Sequence, residues 1–194
     1  MLYRRPDPHE VSMADIPVEE RFSALCRIVR AQHFAWREAV GKACPELDLG
    51  DIVSAMWEVT GHQTARAYLR RIDPKGSLPT QIAQCFAWSS QVMGEDASAE
   101  IPEERFGGGD DLESPGADEA FVRHTGCPWF HWHERLGLLA EDRPGCDTWF
   151  RTVVEDINTA LGANVRVETL QALPDGDRCC LRRLWVDQQS EPAS

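Results

Sequence analysis

The 194-residue chain predicts an α+β fold in which N-terminal helices pack on a small antiparallel sheet. Two observations carry this. Apolar residues recur at helical spacing in three successive segments before residue 94, whereas the alternating, turn-flanked segments all fall after residue 119. The resulting order is three helices, a strand, two helices and a hairpin, with no strand–helix–strand rhythm of a parallel sheet. A polar, proline-rich arm (1–15) leads into one domain over 16–187, and a polar tail (188–194) follows it. The domain divides into a helical half (16–94), an acidic loop (94–119) and a cysteine- and histidine-rich half (120–187).

The first helix opens at Pro17, where a first turn tolerates proline. Phe22, Leu25, Val29, Trp36 and Val40 then mark a helical stripe to about Lys42, and Cys44-Pro45 ends it. The second is capped by Asp48 or Asp51 and carries Ile52, Met56, Val59 and Ala67 before Asp73-Pro74-Lys75-Gly76 stops it. Gly61 in its middle costs about 1 kcal/mol against alanine, which points to a close approach at that position. Ser77 caps the third helix, Ile82, Phe86, Ser89 and Met93 line one face, and Gly94 is a left-handed stop. Cys26, Cys44 and Cys85 lack ligand-spaced partners and read as packing residues.

The stretch 94–119 holds ten acidic residues and one arginine, and reads as a solubilising loop or lid with a short strand near 104–106. Its Gly107-Gly108-Gly109 lacks the lysine and hydroxyl residue of a phosphate-binding loop. Ala120, Val122 and His124 then alternate with Phe121, Arg123 and Thr125 as a strand. Pro128 starts a helix to about Leu139. Another runs over 146–161, with Asp147 as cap, Phe150, Val153, Val154, Ile157 and Leu161 as stripe, and Gly162 as stop. Val165–Leu173 and Arg178–Val186, joined by Pro174-Asp175-Gly176, read as a hairpin.

A net charge of −12 argues against nucleic-acid and anionic-membrane partners, both of which require a basic patch. No eighteen-residue apolar run and no secretory leader is visible, so a reducing cytoplasmic setting is expected. The seven cysteines are then packing residues, metal ligands or nucleophiles rather than disulfides.

Chemistry-bearing side chains concentrate late in the chain. Cys127 and His131 lie four apart and share a face if Pro128 starts a helix, with His133 pointing elsewhere. Cys146 at a helix start would have its thiol pKa lowered by the dipole, and Asp147 serves there as cap or as site residue. Cys179 and Cys180 point to opposite faces of a strand, so one of them at most enters a common site. No standard zinc spacing is present. Scattered thiols with a histidine can still form an open three-ligand site for zinc or manganese, so Cys127, His131, His133, Cys146 and Cys180 are candidate metal ligands. Trp129 is a candidate pocket wall, and Arg123 and Arg182 are candidates for clamping a substrate carboxylate.

The succession Cys127-Pro128-Trp129, Leu136-Gly137-Leu138, Cys146-Asp147, Asn158 and Gly176-Asp177-x-x-Cys180 resembles the L-2-amino-thiazoline-4-carboxylic acid hydrolase-like family over about residues 120–186. The resemblance implies ring-opening hydrolysis of a small sulfur- or nitrogen-containing cyclic amidine, with Cys127, Cys146, Asp147 and Cys180 as the positions carried over. It also implies a fold like that of TRAPP subunits and vinyl-reductase-type ligand-binding domains, which tend to form homodimers. In the catalytic reading Cys127 or Cys146 is nucleophile or metal ligand, His131 or His133 is base or ligand, Asp147 is an orienting group and Cys180 completes the ring of thiols. The alternative is a non-enzymatic small-molecule- or metal-binding sensor module.

Overall fold

The computed structural model describes residues 16–102 and 118–186. The arm, the tail from 187 and the strand expected near 104–106 lie outside them. The elements are α1 (Val18–Ala43), α2 (Leu49–Tyr68), α3 (Leu78–Val92), β1 (Asp96–Glu100), β2 (Glu119–Gly126), α4 (Pro128–Leu136), α5 (Leu139–Leu161), β3 (Val165–Gln171) and β4 (Cys180–Val186). The four strands form one antiparallel sheet in the order β1-β2-β4-β3. This is the expected α+β architecture.

One face of the sheet carries the core. Ala120 and Val122 of β2, Leu184 of β4 and Val165 of β3 meet Ile82 and Phe86 of α3 and Phe150, Val153 and Ile157 of α5. Residues of period two on the strands and period near 3.6 on the helices thus face each other across one dry layer. Helix α2 lies on α5 and adds Ala65 and Tyr68 to the same cluster. The Tyr68 hydroxyl, buried in it, is hydrogen-bonded to Ser89 Oγ.

Several expected caps are present. Asp48 Oδ1 accepts from the Gly50 amide at 2.7 Å and from Asp51 N at 3.4 Å, so Asp48 and not Asp51 starts α2. Ser77 Oγ accepts from Thr80 N at 3.3 Å. The chain leaves α3 through Gly94 (φ 74°) and turns between β3 and β4 through Gly176 (φ 91°), conformations that favour glycine.

Four expectations are corrected. Residues 96–100, placed in the acidic loop, form the edge strand β1 against β2. Its sequence Asp-Ala-Ser-Ala-Glu has no β-branched or aromatic residue, so propensity gave no signal and pairing with β2 decides it. Helix α5 begins at Leu139 rather than 146. Pro144 sits inside it, and Asp147 is a mid-helix residue that caps nothing. The α1 stripe is rotated from the expected one. Cys26, Arg30 and Phe34 are buried, whereas Phe22, Leu25, Val29 and Trp36 are exposed. In α2 the inward residues are Val53, Gly61, Ala65 and Tyr68, and Val59 is exposed. Periodicity located both helices, but Arg30 on the inward face of α1 and Gly61 and Ala65 on that of α2 hid which side is inward.

Candidate functional site

Over the His124–Cys180 end of the sheet, away from the dry core, the space between α1, α2, the end of α3, α4 and α5 is a cavity of about 750 Å³. That volume suits a drug-sized organic ligand. Its walls are largely aromatic. Trp57 of α2 meets Trp129 of α4 edge-on at 5.5 Å between centroids and Trp149 of α5 at 6.5 Å. His33 of α1 meets Trp57 at 5.7 Å and Trp129 at 5.4 Å. Trp36 and Phe130 also line the space.

Two of these tryptophans are fixed by hydrogen bonds. Trp129 Nε1 donates to Glu95 Oε1 at 3.0 Å, and Trp149 Nε1 donates to Thr64 Oγ1 at 3.2 Å. An indole held at its N–H end presents its apolar body as a rigid wall.

The cavity floor is where the chemistry-bearing residues gather. Cys127, Cys146 and Cys180 all line it, with His124, Arg182, Glu95 and Asp142. Cys127 occupies the extended position that precedes α4 (φ −119°, ψ 103°). Its side chain therefore leaves the helical register, and the four-residue spacing to His131 does not bring the two together. His131 is exposed, beside Glu134 at 3.9 Å. His133 is buried outside the cavity. Its Nδ1 lies 3.0 Å from the Trp129 carbonyl and 3.6 Å from Asp142, and Phe34 packs edge-on against its ring.

Cys180, the first residue of β4, lines the cavity, whereas Cys179 just ahead of it is buried outside the cavity. Cys179 Sγ lies 3.1 Å from Gln171 Oε1 and accepts from Arg123 Nη1 at 3.0 Å. Arg123 is thereby held on the far face of the sheet, where it also pairs with Glu100. It does not reach the cavity, so its expected part in clamping a substrate is corrected. Asp147 stands just behind the floor. Its Oδ1 accepts from Thr169 Oγ1 at 2.6 Å and lies 3.6 Å from Arg182 Nη2, so it orients that guanidinium from outside.

Burial sets the electrostatics. The Cys127 thiol is pushed up to about 12 by desolvation, reinforced by Glu95. Desolvation also raises Cys146 well above its ordinary value, and Cys180 in the same direction. Mid-helix placement removes the dipole effect expected to activate Cys146. The three are neutral thiols at neutral pH, poor as nucleophiles. His124 is lowered to about 4, first by desolvation and then by Arg182, and is uncharged. Glu95 and Asp142 are both raised by desolvation.

Among the described residues, no three histidine, cysteine or carboxylate side chains are placed to hold one metal ion. Of the five candidate ligands, His131 and His133 lie away from the three thiols. Zinc needs deprotonated sulfur at about 2.3 Å in a tetrahedral set, and the arrangement found does not fit it.

The floor instead has polar atoms without partners. Arg182 is 2% exposed and His124 5% exposed. Arg182 Nε and His124 Nδ1 both lack hydrogen-bond partners among the described residues. His124 Nε2 lies 2.9 Å from Ser90 Oγ and 3.6 Å from Glu95 Oε2, so only its second nitrogen is open. Glu95, Asp142, His33 and Trp57 were missed by sequence reasoning, because none stands in a motif. His124 and Arg182 carried one signal, a polar residue on the inward phase of a strand.

No protein-family model matches the chain. No curated protein matches it in sequence. In structure the chain is similar to the phenol-responsive sensory domain of the transcription activator PoxR, solved with phenol. Identity there is 11%, over 84% of this chain and 76% of that one, with a TM-score of 0.48. It is also similar to a trafficking protein particle complex subunit 3 from Naegleria fowleri, solved covalently bound to palmitic acid. Identity is 9%, over 86% of this chain and 97% of that one, with a TM-score of 0.51. At such identity the likeness concerns fold alone, helices on a small antiparallel sheet as in that TRAPP subunit.

Proposed function

We propose that this chain is a small-molecule-binding module whose ligand is an organic compound with a large apolar or aromatic part. The observation that carries the reading is the aromatic cavity of about 750 Å³ with a buried polar floor. Filling it with leucine and valine would stabilise the fold by about 25 cal/mol per Å² of apolar surface buried. Keeping it open is a cost that ligand binding explains. The protein particle complex subunit of this fold was solved with palmitic acid attached, in keeping with a fold that holds apolar ligands.

Ring-opening hydrolysis of a thiazoline-type cyclic amidine is the second reading. It is favoured by three of the four carried-over positions, Cys127, Cys146 and Cys180, lining one cavity. In that reaction water adds to the ring carbon between nitrogen and sulfur, and the carbon–sulfur bond breaks with a proton delivered to the sulfur. The raised thiols weigh against a cysteine nucleophile, so binding is the primary reading.

The test is titration with N-phenyl-1-naphthylamine, an uncharged fluorophore, read by quenching of the cavity tryptophans. Saturable binding at one site per chain is expected, and Val29→Trp should weaken it at least about tenfold by adding bulk to a lining position that is half exposed. Absence of saturable binding would sink the module reading. Release of free thiol on incubation with 2-amino-thiazoline-4-carboxylate, lost in Cys127→Ser, would place the hydrolase reading first.

A further inference from the structure

We infer that the ligand carries a carboxylate, or a like oxyanion, at one end, and that it enters this end first to meet Arg182 and His124 on the cavity floor. The inference rests on the binding reading above and adds the chemistry of the head group.

Arg182 projects from the inner face of β4 into the cavity, with its guanidinium 4.2 Å above the Phe150 ring. An arginine keeps its charge at any physiological pH, and its five N–H donors demand acceptors. One of them, on Nε, has none among the described residues. The nearest fixed countercharge is Asp147 at 3.6 Å, outside hydrogen-bond range and a third exposed. A cation almost wholly removed from water, with one donor unmet and its side chain lining an open cavity, is suited to receive an anion.

His124 completes it. Its Nε2 is engaged by Ser90, and the tautomer with the proton on Nδ1 offers a second donor beside the first. Both residues line the same cavity, and two N–H donors there match the two acceptor oxygens of a carboxylate.

Two carboxyl groups also line the cavity, and they offer the rival assignment, a cationic head group. Glu95 is already engaged by the Trp129 indole N–H at 3.0 Å and stands 3.6 Å from His124. Asp142 stands 3.6 Å from buried His133. Both therefore face groups of the protein itself. Burial favours their neutral forms, which leaves Arg182 as the dominant charge on the floor. Above it the walls are tryptophan and methionine, which accept the apolar body.

The test compares three ligands of one shape on the wild-type protein: 4-(2-naphthyl)butanoate, its primary amide and 4-(2-naphthyl)butylammonium. Affinities are read at pH 7.5 by tryptophan quenching. The carboxylate is expected to bind roughly ten- to a hundredfold tighter than the amide, the range for a charge-assisted hydrogen-bonded pair. Arg182→Met should remove that difference while leaving amide binding within about threefold. Equal binding of carboxylate and amide, or tightest binding by the ammonium, overturns the inference. The wild-type series stands even if Arg182→Met fails to fold. If N-phenyl-1-naphthylamine binds and the carboxylate shows no preference, the head-group assignment alone falls. If neither binds, the module reading falls with it.

Discussion

Replacing Gly61 by alanine tests the contact that holds the cavity's back wall. A Cβ at this position would lie 2.8 Å from Thr152 Cβ, 3.0 Å from Thr152 Cγ2 and 3.3 Å from the Trp149 carbonyl oxygen. Relaxed carbon–carbon contacts are about 3.5–4.0 Å, so α2 and α5 would have to separate by several tenths of an ångström. The neighbour has no freedom to give. Thr152 is buried, its Cβ is fixed to the α5 backbone, and α5 carries Phe150, Val153 and Ile157 into the core. Helix propensity alone favours alanine by about 1 kcal/mol, whereas overpacking a close contact costs about 1–3 kcal/mol. The clash should prevail by up to about 2 kcal/mol, a fall in melting temperature of up to roughly 8 °C for a chain of this size. Thermal unfolding followed by circular dichroism measures it. In the exchange variant Gly61→Ala with Thr152→Gly, the two effects should be less than additive, because the second change removes the atoms met by the first. A rise in melting temperature for Gly61→Ala would show that propensity governs and that the helices are not locked there.

Two further outcomes follow from burial. His124 titrates at about 4 in the folded protein, because of desolvation and then Arg182, against 6.5 when unfolded, so the unfolded chain binds the extra proton between these values. Its contribution is complete above pH 6.5 and is lost as pH falls towards 4, by on the order of 3 kcal/mol. Denaturant unfolding from pH 7 to 4 should therefore show a shallower loss in His124→Gln than in wild type, with the opposing contribution of Glu95 common to both. Equal slopes would refute this. Secondly, iodoacetamide at pH 8 should label half-exposed Cys44 well before Cys127, Cys146 and Cys180, whose thiols burial pushes up. Rapid labelling of Cys146 would return it to the role of nucleophile.

How much of this was legible beforehand depended on whether a residue's partner lies nearby in the chain. Asp48, Ser77, Gly94 and the Pro174-Asp175-Gly176 turn were readable because caps and turns are local chemistry. The convergence of Cys127, Cys146, Asp147 and Cys180 was readable only as a condition; the three thiols line one cavity, and Asp147 lies outside its lining. His131 failed because the four-residue rule holds inside a helix, and Cys127 is still extended at its edge. Asp147 failed because a carboxylate just ahead of an apolar stripe reads as a cap, whereas α5 already runs through Pro144-Gly145 before it. A proline there costs a hydrogen bond, but it lies within the first two turns, and Gly145 lets Trp57 sit against the backbone. A Cβ at Gly145 would come within 2.6 Å of the Trp57 ring. Strand β1 and Glu95 were invisible, since only pairing with β2 and contact with Trp129 define them.

The inner face of the sheet shows why cavity and core coexist. In the β2–β4 register, Ala120 stands opposite Leu184 and His124 opposite Cys180, with Val122 opposite Arg182 between them. Reading along that face, the pair Ala120–Leu184 belongs to the dry core, and polarity enters with Arg182 and His124 towards the other end. A strand that needed only to fold would continue the apolar alternation, because a buried guanidinium is seldom worth more to stability than an apolar side chain of similar volume. Here the alternation is kept in phase and broken in kind. The break falls where the helices part to leave the cavity, and Asp147 and Phe150 of α5 hold the intruding arginine in place from behind and beneath. Departures from local rules are expected at functional sites, and here they leave Arg182 Nε and His124 Nδ1 without partners among the described residues. By that criterion the floor formed by Arg182 and His124, rather than the thiols that first draw attention, is the centre of the site.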